Sequence, residues 1–151
     1  MKNKTIIIFM SAALIGLFTA QCFSQQSSTQ NIERKHLNSW EKTTGYTQTV
    51  KVGNTLYLSG LTSEADSMVD QIKEIYSTIQ AILNGYGITT DNIVKETVFT
   101  LDIESLKQHA VDRKKYYPNG LYPASTWVQV DRLFQPGYLL EVEVIAHLPS
   151  E

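Results

Sequence analysis

Two glutamates two residues apart, in the segment Leu139-Leu140-Glu141-Val142-Glu143-Val144, are the clearest offer of acid–base chemistry in this chain. Same-face positions on a strand lie about 7 Å apart. Two carboxylates held there would push each other's pKa values apart, as a general acid and its base require. The same alternation describes a strand with one wet face, and spacing alone does not separate the two readings. Ser125, in Tyr122-Pro123-Ala124-Ser125-Thr126-Trp127, opens a β-rich run without nucleophile-elbow glycines. No Ser-His-Asp arrangement follows from it, and a small strand residue tolerated for packing is the plain alternative. Tyr46, just after Gly45, is either a ring lining a pocket or an edge aromatic. His36, His109 and His147 share no helical or strand ligand spacing, so no metal site is expected.

These residues must be positioned by a single core. The chain has 151 residues, 42% hydrophobic, with a net charge of −2. That length and apolar content suit one domain. The charge is too small and too evenly spread to suggest a nucleic-acid partner. The cluster Arg113-Lys114-Lys115 reads as a solvated helix face, with a phosphate site as the other reading.

Residues 1–24 are of another kind. Lys2 and Lys4 precede the uncharged run Thr5 to Phe18, and small polar residues follow. This is the pattern of a secretory signal, with cleavage after Ser24, rather than of a membrane span. The alternatives are lipidation of Cys22, which Gln21 disfavours where a lipobox wants a small residue, and a retained anchor. Cleavage predicts a periplasmic or secreted protein without membrane attachment. Cys22 is the only cysteine. The mature chain would then contain no thiol, disulfide or cysteine nucleophile.

Residues 25–44 read as a polar lead-in and residues 45–151 as the domain. Two β-rich runs flank Gly53-Asn54, a hairpin signal. Met68, Ile72, Ile75, Ile79, Leu83 and Tyr86 recur at helical spacing, with Gly85 and Gly87 as stops. Residues 92–103 read as a strand, Glu104 to Tyr117 as a helix, and 124–131 and 138–147 as two closing strands. The order ββαβαββ predicts an α+β layer fold with helices on one sheet face. Alternation sets Ala124, Thr126, Val128 and Val130 against Ser125, Trp127 and Gln129. It likewise sets Leu140, Val142, Val144 and Ala146 against Glu141, Glu143 and Ile145. With helices over the aliphatic face, the other would carry Trp127, Gln129 and both glutamates, a surface suited to a subunit interface with a polar cleft.

The stretches GYTQTVKVGNTLYLSG, NIVKETVFTLDI, YPASTWVQVDRL and LLEVEVIAHL together resemble the Rid (YjgF) family, from Gly45 to about Leu148. The resemblance implies a chorismate-mutase-like fold, a homotrimer with small-molecule clefts at its subunit interfaces, and no cofactor. It also implies hydrolysis of reactive enamines and imines, such as 2-iminopropanoate or 2-iminobutanoate, to keto acids and ammonia. Carried over position by position, Tyr46 and Gly60 line the cleft and Glu141 holds the attacking water. Ser125 stands where the family's P-A-R-S motif has a carboxylate-gripping arginine, and Trp127 where active deaminases often have cysteine. The loop after Gly60 is several residues shorter than the family pattern, and Arg132 matches an often basic position that is not the clamp. A bidentate guanidinium has no neutral substitute. The expectation is therefore a hydrolase with weak or altered imino-acid activity, or a non-catalytic module binding an uncharged or cationic ligand. Ribonuclease activity is a third expectation, opposed by the absence of a basic groove.

Overall fold

The computed structural model describes residues 31–150. Six strands form one sheet in the order β1-β2-β3-β6-β4-β5: β1 Ile32–Lys35, β2 Thr49–Val52, β3 Thr55–Leu61, β4 Ile93–Thr100, β5 Ala124–Gln129 and β6 Leu140–His147. Neighbours are antiparallel except β4 and β5. That parallel pair needs a crossover, which α3 (Ile103–Gln108) and α4 (Ala110–Lys114) supply. From β2 onward the expected order ββαβαββ and the α+β layer architecture are present.

Helix α2 (Met68–Asn84) starts at Ser67, whose hydroxyl accepts the Asp70 N–H, and buries Met68, Ile72, Ile75, Ile79 and Leu83. It lies on the sheet face formed by Leu56, Leu58, Val98, Leu140, Val142, Val144 and Ala146. Gln71 on the same helix is fully buried. Its amide donates to the Ala65 and Gly137 carbonyls and accepts the Leu139 N–H, which fixes the chain entering β6 just before Glu141.

Three expectations change. Residues 31–44, read as a polar lead-in, contain β1 and the short helix α1 (Trp40–Thr44). All four β1 residues are exposed, so the strand leaves no burial pattern to read and is held by pairing with β2. The helix expected from Glu104 to Tyr117 breaks at His109, which leaves helical geometry (φ −95°, ψ 12°) between α3 and α4. The residues called the leader, including Cys22, lie outside the described residues.

The third change concerns β5. Its register pairs Ser125 with Glu96 and Trp127 with Val98, residues buried beneath the helices. Ser125, Trp127 and Gln129 therefore face the helices, and Ala124, Thr126 and Val128 share the open face with Glu141 and Glu143. Alternation gives the period of a strand but not its phase, and β5 carries no aliphatic stripe strong enough to set that phase.

Candidate functional site

Glu141 emerges on the open face of β6, opposite Phe99 of β4. Beside it β3 carries a bulge, where Leu58 to Leu61 spans the step that Val144 to Val142 makes on β6. Gly60 falls in that bulge. A Cβ added there would lie 1.8 Å from Glu141 Oε1 and 2.7 Å from its Cγ, so the glutamate side chain occupies the space a larger residue would fill. Among the described residues nothing donates a hydrogen bond to the Glu141 carboxylate and no cation pairs with it. Burial, and then the charge of Glu143, push its pKa up.

Tyr46 lies within reach of the Glu141 charge. Burial and the charges of Glu41 and Glu141 hold its phenol above the ordinary value, so it remains a donor. Its hydroxyl donates to Gln48 Oε1 at 3.3 Å and its ring sits 5.2 Å from that of Trp40. Gln48, itself buried, donates through its side chain to the Ser59 carbonyl, one residue before Gly60. Behind them Glu41 is fully buried. Its carboxylate accepts the N–H groups of Leu37, Asn38 and Gln48 at 2.7–3.0 Å. Burial raises its pKa, but those three hydrogen bonds outweigh the desolvation and leave it below the ordinary value. Glu41 and Gln48 thus tie the Tyr46 segment to the bulge. Sequence reading missed both, because an acidic residue among polar neighbours gives no sign of being buried.

Within one chain, Ser125 and Trp127 are not beside Glu141. Crossing two strands and three residues separates Ser125 from Glu141 by about 14 Å in the plane of the sheet, on its opposite face. There Arg113 of α4, expected on a solvated face, is buried and paired with the fully buried Glu96. The Ser125 hydroxyl donates to Glu96 Oε2 at 2.8 Å and accepts the Trp127 indole N–H at 2.9 Å. Tyr76 also donates to Glu96, and the guanidinium lies 4.8 Å from the Tyr117 ring centre and 5.6 Å from that of Trp127. Burial pulls the Arg113 pKa down, but its hydrogen bonds to Glu96 and that carboxylate's charge outweigh it and hold the guanidinium above its ordinary value. Desolvation and then the Glu96 charge push the Tyr76 and Tyr117 phenols up.

The open face also holds a shallow concavity of about 320 Å³ lined by Tyr57, Ser59, Lys95, Thr97, Glu143 and Ile145. Among the described residues no three His, Cys, Asp or Glu side chains converge as a metal site would require.

A single sheet with helices on one face and an unpartnered carboxylate seated over a bulge glycine on the other defines a small α+β protein of the YjgF type. The chain belongs to the family described as endoribonuclease L-PSP, whose sequence profile matches residues 37–148. It is 33% identical over 109 residues to a RutC family protein of Saccharolobus solfataricus, covering 67% of this chain and 85% of that one. A solved structure of a Rid family protein of unknown function from Yersinia pestis is 30% identical, with a TM-score of 0.64 over 68% of this chain and 87% of that one. A YjgF/YER057c/UK114 family structure from Mycobacterium tuberculosis, 23% identical, shares the fold with a TM-score of 0.72, over 78% of this chain and all of that one. Family membership supports a deaminase-like or small-molecule-binding role in general terms.

Proposed function

We propose that this protein binds a small molecule at Glu141, Gly60 and Tyr46 and acts there as a Rid-type hydrolase of an imine or enamine, with altered preference. The observation that carries the reading is the Glu141 carboxylate, seated in the space left by Gly60 and without a partner. In this reading Glu141 takes a proton from water as its oxygen bonds to the C=N carbon. The C=N pair goes to nitrogen, which for a protonated imine gives an amino alcohol. The proton on Glu141 then passes to that nitrogen, and the C–N bond breaks with its pair as the hydroxyl returns its proton to Glu141, releasing carbonyl and ammonia. Tyr46, whose hydroxyl is engaged with Gln48, lines the site with its ring.

The protein works as a homotrimer in this proposal, with the sites in clefts between subunits. Exposed Tyr57 and Val128 on the open sheet face support that arrangement, since a second subunit would shield them. Residues 1–24, in the same proposal, are a signal peptide that directs export to the periplasm or beyond. Ser125 and Trp127 act on ligand choice only indirectly, through what Ser125 no longer supplies.

The test is ammonia release from 2-iminopropanoate, generated in situ, and from an imine of the same size without a carboxylate. Turnover of either that falls at least tenfold in Glu141→Ala supports the reading, while turnover unchanged in that variant overturns it. A non-catalytic binding module is the second reading. It is favoured by the engagement of Ser125 with Glu96, which leaves no carboxylate clamp at that position. Ligand binding at Gly60 without turnover of either imine would establish it.

A further inference from the structure

We infer that Tyr138 is a further ligand-binding residue of the Glu141 site, donating a hydrogen bond to an oxygen on the reacting carbon, and that Gln71 is the residue that positions it. The inference rests on the Glu141 reading above. Tyr138 stands three residues before Glu141, where the chain turns into β6. Gly137 takes φ +91° there, a bend that glycine adopts without strain. Two peptide groups flank Tyr138, and one side chain binds both. Gln71 Nε2 donates to the Gly137 carbonyl at 2.7 Å, and Gln71 Oε1 accepts the Leu139 N–H at 2.8 Å. Nε2 also donates to the Ala65 carbonyl at 2.7 Å, on the loop that follows β3. The Leu139 carbonyl is held in turn by the Leu101 N–H at 2.9 Å and the Thr100 hydroxyl at 3.0 Å.

Gln71 is fully buried, so breaking any of these bonds would strand a polar group away from water. The backbone of Tyr138 is thereby fixed from inside the fold, while Tyr138 itself stays half-buried and still reaches solvent. Its ring lies toward the site: burial, and then the charges of Glu41, Glu141 and Tyr138, raise the Tyr46 phenol, so Glu141 and Tyr138 both lie within reach of Tyr46. The two phenols differ in what they offer. Tyr46 donates to Gln48, whereas the Tyr138 hydroxyl donates to no side chain or backbone group among the described residues of its own chain. A phenol on a backbone held this way is a donor placed before the ligand arrives. In the reaction proposed above, oxygen from water bonds to the C=N carbon and ends as a carbonyl, and both forms accept a hydrogen bond. Tyr138 keeps its proton throughout, and the proton of that water goes to Glu141.

The experiment uses two probes of similar size. Propanamide has a carbonyl oxygen that stands for the acceptor; propylammonium can pair with Glu141 but has no acceptor. Each is titrated into the purified protein while the Gly60 amide is followed by two-dimensional NMR. In Tyr138→Phe, propanamide is expected to bind about fivefold more weakly, the effect of one hydrogen bond between uncharged groups, and propylammonium to change less than about twofold. Gln71→Met, close to glutamine in length, removes all three bonds and should weaken propanamide by a similar factor. The double variant should lose about fivefold rather than the product of about 25-fold, because a misplaced phenol and a missing hydroxyl are one loss. Should Gln71→Met fail to fold, Gln71→Glu, which keeps the acceptor for Leu139, goes through the same cycle. Losses that multiply would overturn the positioning role and leave Gln71 a residue of the fold alone. Equal weakening of both probes in Tyr138→Phe would overturn the donor role. If Tyr138→Phe binds propanamide as the native protein does while Glu141→Ala does not, the donor role falls and the Glu141 reading stands. If neither probe moves Gly60 in the native protein, both fall.

Discussion

The two faces of the sheet at β4, β5 and β6 treat their carboxylates in opposite ways. On the helix side Glu96 is fully buried and surrounded by donors: Arg113, Tyr76 and Ser125. On the open side Glu141 is half-buried and has no partner among the described residues. The first arrangement offsets the cost of desolvating a charge and joins α2, α4, β4 and β5. The second accepts a cost that packing does not relieve, as binding sites do. Ser125, which the sequence resemblance sets against the family's clamp arginine, falls on the satisfied face.

The sharpest way to break this comparison is to remove one member of the satisfied pair. Arg113→Ala leaves Glu96 buried without its cation, a change that costs about 3–5 kcal/mol in typical buried pairs. Urea unfolding should show a loss of that order. Replacing both residues by apolar ones of similar volume, Glu96→Leu with Arg113→Met, should recover most of it, because the desolvation penalty disappears with the charges. A small effect of Arg113→Ala alone would mean that Glu96 is neutral or hydrated, and the contrast between the faces would lose its basis.

Gly60→Ala attacks the other face. The new methyl would overlap Glu141 from Oε1 to Cγ, so rotating the carboxylate alone does not relieve it. The side chain must leave its seat or the bulge must shift, at about 1–3 kcal/mol. Propylammonium binding, read by NMR, should weaken at least tenfold even where the protein remains folded at room temperature. Retained binding would show that Glu141 does not need this seat.

How much of this was legible in the sequence divides along the same line. The α2 helix was readable because its apolar residues repeat at one period on one face, and the hairpin because Gly53 takes φ +56° at its turn. The phase of β6 was readable because four aliphatic residues alternate with two glutamates. The phase of β5 was not. Ala124, Thr126 and Val128 look like an inner stripe, yet the burial partner of Ser125 is a glutamate that is itself stabilised by an arginine 17 residues away in sequence. Such a polar core has no hydrophobic signature. Glu41 escaped for the same reason, since its partners are backbone N–H groups that any sequence would supply. Glu141 and Tyr46 stood out by residue type and place, but their roles, like Gly60 altogether, came only from family resemblance; the fold seats Glu141 over Gly60.

Ser125→Ala is a finer probe of the satisfied face. It removes a hydrogen bond to a charged acceptor and orphans the Trp127 indole N–H, but Ser125 itself is solvent-exposed and water can replace it. The expected loss is about 1 kcal/mol by equilibrium unfolding. Propylammonium binding at Gly60 should be unchanged, because the two sites lie on opposite faces. A loss of binding with intact stability would show that the faces communicate.

Glu141→Gln should produce the smallest change and the opposite sign. The pKa of Glu141 in the folded protein is raised, first by burial and then by Glu143. Below the ordinary glutamate range, about 4.3, the group is protonated in both folded and unfolded chains and costs nothing. As pH rises through the folded value, the native state must ionise a half-buried carboxylate beside a like charge, and that contribution to stability is lost. Glutamine never ionises. The variant should therefore match the native protein at acid pH and exceed it near neutrality by about 0.5 kcal/mol, the low end of gains from relieving an unfavourable charge. Part of the gain should fade in high salt, since exposed Glu143 is screened by counterions. Unfolding curves at pH 4 and pH 7 decide it. A neutral-pH loss on Glu141→Gln would mean that the carboxylate has a stabilising partner after all, and Glu141 would then belong with Glu96 among the satisfied groups rather than opposite it.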